Sequence, residues 1–268
     1  MAQKMKKTIV TTLTLFSMLV LSGCGGSTST SIIVDSIGNA AQKNAELDNA
    51  RFETTFSMKG AAEPLDQSSE GAFVKAAESD YEWYQETVFA EETTTETAQI
   101  GGKQYQKIRV PGQTETQWVE ISSTELSLQD LLRTLFENDI VEAEIAESKV
   151  EDKGGSTEYT LTMSDAYAKR IKARNVNELQ QNIDEMEQNN EETLVIEELE
   201  TKLQEIEETD YEDITITCEI NEADFLTAVH YESTVVPPTG ETYTLSTSFA
   251  LTEYNLSDTG DLLPKIGE

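Results

Sequence analysis

DITITCEINEADFLTAVHYESTVVPPTGETYTLSTSFALTEY, residues 213–254, decides the architecture. Asp213 to Ile220 alternates Ile214, Ile216, Cys218 and Ile220 with Thr215, Thr217 and Glu219, the period-two pattern of a half-buried strand. Asn221-Glu222-Ala223-Asp224 reads as a turn, and Phe225 to Val235 runs back. Pro237-Pro238-Thr239-Gly240 ends that run. Glu241 to Tyr254 follows, with Tyr243, Leu245, Thr247, Phe249 and Leu251 on one face and Thr244, Ser246, Ser248 and Thr252 mostly on the other. Three such segments joined by short turns form an antiparallel meander.

Upstream of the meander the pattern becomes helical. Ser164 caps a stretch from Asp165 to Glu208, broken at Asn189-Asn190 into a pair. Leu179, Ile183 and Met186 line the first member; Leu194, Leu199, Leu203 and Ile206 line the second. Fourteen acids and one lysine lie between Asp184 and Asp213. Like charges three and four apart oppose helix formation by a few tenths of a kcal/mol each, about 0.2–0.5, so these helices need packing. The spacing is not that of a calcium loop, which requires alternating Asp/Asn, a glycine turn and a distal Glu. The acids read as a solvated face.

Further upstream, strand follows strand. Arg51 to Met58, Gly71 to Ala77 and Tyr81 to Ala90 have β composition. Thr93 to Ile100 and Lys103 to Val110 flank Gly101-Gly102, whose tolerance of positive φ suits a tight hairpin. Thr116 to Ile121 carries Trp118. Ser127 caps a helix whose apolar face is Leu128, Leu131, Leu132, Leu135 and Phe136. Glu142 to Val150 and Glu158 to Met163 are strands around Gly154-Gly155. Ile32 to Leu47 is a helix with Ile33, Ile37, Ala41 and Ala45 in a stripe. The total of nine or ten strands with helices at the start, in the middle and before the meander predicts an α+β fold. Its core is a large antiparallel sheet that curls because twist accumulates, with helices covering the concave face.

The first 31 residues predict export. Lys4, Lys6 and Lys7 precede an uncharged apolar run from Thr8 to Val20, too short to span a bilayer. Leu21-Ser22-Gly23-Cys24 matches a lipobox, in which the Cys24 thiol takes a diacylglycerol and its freed amine is acylated, for instance by palmitate. Residues 1–23 are therefore expected to be a lipoprotein signal peptide, 24–31 a lipidated flexible tether, and 32–268 one domain. The expected location is the extracytoplasmic face of a cell membrane, in a Gram-positive envelope by preference. The formal net charge is −32, and loss of the three lysines leaves −35. Such a surface repels nucleic acid. Cys218 is the one cysteine left after lipidation and reads as a small core residue, and His230 as an ordinary strand residue. No nucleophile elbow, metal signature or phosphate loop is present, so no catalytic residue, metal or cofactor is expected.

The lipobox, the short helix and Arg51-Phe52-Glu53-Thr54-Thr55-Phe56 opening a run of strands resemble lipoproteins of the LolA/LppX-like superfamily, in the layout many Gram-positive lipoproteins share. Gly102-Lys103-Gln104-Tyr105-Gln106-Lys107 followed by Trp118-Val119-Glu120-Ile121 adds to the resemblance, which covers most of residues 32–254. It implies an unclosed barrel with helices across its open face and an apolar cavity between them that binds a lipid. Leu131, Leu132, Leu135 and Phe136 would face that cavity from the helix, and Ile216, Phe225 and Phe249 from the sheet. The acidic helix pair is a departure from the family. Two functions stay open: a lipid or other hydrophobic-ligand binder, or a cell-surface interaction or sensor lipoprotein with a filled core and an envelope protein partner.

Overall fold

The computed structural model describes residues 29–77, 80–89, 93–110, 112, 117–121, 140–188 and 193–266. Helix α1 (Thr30–Asn44) opens the described chain. Strands β1 (Asn49–Lys59), β2 (Leu65–Ala77), β3 (Asp80–Val88), β4 (Thr94–Ile100), β5 (Lys103–Arg109) and β6 (Val119–Ile121) follow. A 3-10 turn at Glu142–Glu144 leads into β7 (Ile145–Asp152) and β8 (Ser156–Met163). Next come α2 (Asp165–Gln188), α3 (Thr193–Glu208), β9 (Asp210–Asn221), β10 (Leu226–Val236) and β11 (Tyr243–Tyr254). The residues read as the pair's break, Cys24 with residues 24–28 of the tether, and the helix bearing Leu131, Leu132, Leu135 and Phe136 lie outside the described residues. The end of the expected tether is not flexible coil: Ser29 is the N-cap position of α1, and Thr30 and Ser31 form its first turn, ahead of the start expected at Ile32.

All eleven strands form one open sheet in the order β6-β5-β4-β3-β2-β1-β11-β10-β9-β8-β7, every pairing antiparallel. The total among the described residues is above the expected nine or ten, although each of the eleven segments marked as β in the sequence finds its strand; β6, within the expected 116–121, holds to the edge by only three residues. Two meanders, β1 to β6 and β7 to β11, join where β1 pairs with β11. Gly101 and Gly102 take φ of 59° and 74°, the left-handed pair that the β4–β5 hairpin requires.

The fifteen residues of α1 are near the limit of independent helix stability. Packing supplies the remainder. Ile33, Ile37, Ala40 and Ala41 are buried on one helical face, against β9 and β10. Leu47, Phe52, Phe73, Leu161 and Leu226 are at most 1% exposed in the same core. Each such side chain contributes about 1.5–3 kcal/mol by leaving water. Asparagine side chains then tie the layers. Asn44 donates from Nδ2 to the Leu226 carbonyl at 2.7 Å and accepts from the Leu226 amide at 3.1 Å. Asn49 does the same to Leu256, at 3.2 and 2.7 Å, holding the chain that leaves β11.

The base of α2 is fixed to the body. Tyr167 is buried, and Arg170 makes a two-pronged bond to Glu144, Nε to Oε1 and Nη2 to Oε2, both 2.8 Å. Beyond that base, α3 packs chiefly on α2, with Ile183 buried in their seam. The acidic pair thus obtains its packing from itself more than from the sheet.

Candidate functional site: the concave face

Strand register assigns each side chain to a face, because directly paired residues point the same way and neighbours alternate. Ala50, Phe52, Thr54, Phe56 and Met58 of β1 share a face with Phe73, Gly71, Ser69, Gln67 and Leu65 of β2. Leu251, Phe249, Thr247 and Leu245 of β11 complete it on the other side of β1. The Phe52 and Phe249 rings stack on this face, centroids 5.4 Å apart. It is the face that α1 covers.

Three regions divide it. Under α1 the core is closed: Ile216 and Phe249 are 6% and 5% exposed, among Cys218, Ile220, Leu226 and Val229. Phe225 stands at the rim, half-buried, its ring 5.1 Å from Tyr254 and beneath the Lys43 ammonium at 5.0 Å. Of the sheet residues expected to line a cavity, Ile216 and Phe249 lie within this closed core and Phe225 packs against its rim.

The second region was not singled out in the sequence. Met58 pairs with Leu65 on one side and Leu245 on the other, and Phe56 is two residues up the same strand. Tyr243 pairs with Val235, one step beyond Leu245. Phe56, Met58, Leu65, Tyr243 and Leu245 are only half-buried, so an apolar strip continues from the closed core along the sheet.

In the third region the face turns polar without becoming charged. Gln67, Ser69, Gln85, Thr87, Thr95, Thr97, Gln99, Gln104 and Gln106 occupy it by register. Trp83 Nε1 donates to Gln99 Oε1 at 3.3 Å, Gln104 Nε2 donates to the same oxygen at 3.4 Å, and the Ser69 and Thr87 hydroxyls lie 2.9 Å apart. The chain holds 51 acids and 19 lysines and arginines. Among the described residues of β1 to β6, Lys75 is the charged side chain on this face, and its ammonium is occupied by the Ala45 carbonyl at the end of α1.

The charges lie on the convex face. Arg51, Glu53, Glu70, Glu82, Glu86 and Glu96 fall there by the same register. Glu96 is 6% exposed and is neutralised by Lys107 at 2.9 Å and by Arg109. Tyr84 donates toward Glu86 at 3.0 Å; burial first, then these carboxylates, drive its pKa far upward. The signal for this sorting is in the sequence: the glutamates Glu82, Glu86 and Glu96 stand at even positions with Tyr84, and the uncharged Trp83, Gln85, Thr87, Thr95 and Thr97 at odd ones.

Cys218 and His230 do not meet. Cys218 pairs with Val229 on the concave face, whereas His230 pairs with Thr217 on the convex one. Burial pushes the Cys218 thiol up to about 12, which leaves almost no thiolate at neutral pH. The native protein is therefore expected to resist iodoacetamide at pH 8 and to be alkylated fully in denaturant, as read by intact mass. Rapid native alkylation would refute the burial.

A separate concavity of about 740 Å³ lies between α1 and the β7–β8 and β9–β10 turns, lined by Asn39, Lys43, Asp152, Tyr159 and Glu222 among others. Its walls mix both charge signs with hydroxyls, unlike the charge-free strip. Among the described residues no group of three or more potential ligands is placed to hold a metal ion, and no helix is long and apolar enough to cross a membrane.

No family model matches the chain, and no curated protein matches it. Among solved structures, LprF from Mycobacterium bovis is similar with a TM-score of 0.44 at 9% identity, over 88% of this chain and 98% of that one. A DUF1329 family protein from Desulfovibrio piger gives 0.29 at 11%, over 87% and 97%. A domain assigned to outer membrane lipoprotein sorting in Vibrio parahaemolyticus gives 0.26 at 10%, over 87% and 93%.

Proposed function

We propose that this chain is a lipid-anchored extracytoplasmic lipoprotein that binds an amphipathic lipid, without catalysis, on the concave face of its sheet. The observation that carries the reading is the sorting of charge. A protein this acidic keeps a continuous face across β1 to β6 almost free of charge, and half-covers an apolar strip within it. Apolar surface left partly open beside neutral hydrogen-bonding groups is what a ligand with an acyl portion and an uncharged polar head requires. Phe56, Met58, Leu65 and Leu245 take the acyl portion; Gln85, Gln99, Gln104 and Gln106 take the head. Leu131, Leu132, Leu135 and Phe136 belong to the proposed site as the apolar cover; Ile216 and Phe249 form the closed core from which the strip continues, and Phe225 stands at the far rim of that core. Cys24 carries the anchor in this reading. The membrane is the outer face of a Gram-positive cell.

The test is native mass spectrometry with lipid extraction on chain purified from its own host. The expected result is a stoichiometric lipid with an uncharged headgroup. Met58→Glu, which sets a charge in the strip, is expected to reduce it at least tenfold. Ser57→Glu, the adjacent residue on the convex face, is expected to leave it unchanged. Equal loss in both, or an empty wild-type protein, would end the ligand reading. In the same host, Cys24→Ser is expected to shift the chain from the membrane fraction to the medium.

The second reading, an interaction module with a filled core, is supported by one observation: α3 packs on α2 rather than on the sheet, so the acidic pair stands off the body.

A further inference from the structure

Strand β7 ends the sheet, with β8 on one side and no described strand on the other. Its register shows which backbone groups are free. The Lys153 amide donates to the Ser156 carbonyl at 2.9 Å across the Gly154-Gly155 turn. By alternation, Glu151 and Lys149 also turn their amides and carbonyls toward β8, whereas Ser148, Val150 and Asp152 turn theirs outward. The side chains along this edge are open: Val150 is 38% exposed, and the Lys149 and Lys153 side chains 68% and 43%.

The charges along this edge are ordered, and within one copy Glu151 lies between Lys149 and Lys153. Glu147, Lys149, Glu151 and Lys153 alternate in sign on the convex side, in a chain of net charge −32. Read about Val150, Glu147-Ser148-Lys149-Val150-Glu151-Asp152-Lys153 is complementary to its own reverse. Glu147 would meet Lys153, Lys149 would meet Glu151, Ser148 would meet Asp152, and Val150 would meet itself. We propose that β7 pairs antiparallel with β7 of a second copy, about a two-fold axis through Val150 that is perpendicular to the sheet.

Neighbouring registers fit less well. An axis through Lys149 sets that residue against itself and Glu147 against Glu151. An axis through Ser148 keeps the Glu147–Lys149 pairs but puts Glu151 opposite Ile145. Odd registers would place the concave face of one copy beside the convex face of the other. Edges protected against association carry charges, prolines or bulges; the register shift of β7 lies between Ile145 and Glu147, at the end of the proposed pairing, and the charges from Glu147 to Lys153 form a pattern that cancels when doubled. The outward groups of Ser148, Val150 and Asp152 are those that such a pairing would use. A two-fold perpendicular to the sheet leaves both α1 helices on the same side, so both N-terminal segments depart toward one surface. One edge pairing is a small interface, and anchoring on a membrane raises its effective concentration.

Copies paired this way place the two Val150 Cα atoms about 5.5 Å apart, within disulfide range. Full-length Val150→Cys chain, expressed in its own host and oxidised with copper phenanthroline, is expected to run as a disulfide-linked dimer. Val119→Cys, on the opposite edge and 61% exposed in the wild-type residue, is expected to give several-fold less. Adding Lys149→Glu should lower the Val150→Cys yield several-fold, and adding Glu151→Lys to that should restore it. These residues are on the surface, so folding is preserved; the Cys218 thiol is buried. A Val150→Cys thiol that reacts with maleimide yet gives no dimer would overturn the pairing. So would dimer yields indifferent to Lys149→Glu, or equal at Val119→Cys. This outcome is independent of whether a lipid co-purifies.

Discussion

Gly71→Ala is expected to destabilise the protein by about 3 kcal/mol, lowering Tm by roughly 6–12 °C, and Gly71→Val is expected to prevent folding. A Cβ on Gly71 would lie 2.3 Å from Phe52 Cζ and 2.5 Å from the backbone oxygen of Tyr84. Neither neighbour has room to retreat. The Phe52 ring is 1% exposed and stacked on Phe249. Tyr84 belongs to β3, which is held between β2 and β4. Glycine in a strand interior ordinarily weakens it, and here the cross-strand phenylalanine covers the gap. Thermal unfolding of the single variants and of the pair Gly71→Ala with Phe52→Leu measures the effect. The pair should be less destabilised than the sum of the singles, because the smaller side chain removes one of the two clashes. Additive effects, or a Gly71→Ala Tm within 2 °C of wild type, would show that the strands separate more easily than this packing allows.

The fold was largely legible from alternation. Ile214 to Ile220 and Tyr243 to Leu251 announce their strands because one face is buried and the other wet, and period two follows directly. Gly101-Gly102 announced its hairpin for a local steric reason. The candidate site was less legible. Ile216 and Phe249 are apolar in a strand whether they line a cavity or fill a core, and only the position of α1 distinguishes the two. Phe56, Met58, Leu65 and Leu245 come from three strands, and their contiguity depends on β1 pairing with β11, a closure between segments some 200 residues apart. The neutral face was present as alternation of Glu with Gln and Thr. A search for apolar periodicity passes over it, since amides and carboxylates are both polar; sorting by charge instead of hydropathy reveals it. The tie from Asn44 to Leu226 was equally hidden, because a lone asparagine near a helix end reads as a cap.

Asn44→Leu removes that tie while keeping the number of side-chain heavy atoms, and is expected to cost about 4 kcal/mol, since the Leu226 amide and carbonyl would each remain buried without a partner and the bulkier methyls must be accommodated. The wild-type side chain is 0% exposed and satisfies both groups, as a neighbouring strand would. It thereby holds the end of α1 to the start of β10, where the register shifts between Leu226 and Ala228. Asn44→Asp separates hydrogen bonding from packing. An ionised carboxylate there accepts from the Leu226 amide but faces the Leu226 carbonyl with no proton to donate. Burial and that carbonyl both favour the protonated form, so the folded-state pKa of the introduced carboxyl lies above its unfolded value of about 4. The folded state then binds the proton more tightly. Relative to wild type, the variant should be best preserved below about pH 4 and lose stability as pH rises from there to its folded pKa, after which the deficit is constant. Denaturant unfolding of wild type, Asn44→Leu and Asn44→Asp at pH 4 and pH 7 checks this. The Asn44→Leu deficit should not change with pH, whereas the Asn44→Asp deficit should be larger at pH 7. A deficit for Asn44→Asp that does not depend on pH would mean that the side chain reaches water and that α1 is held by its apolar face alone.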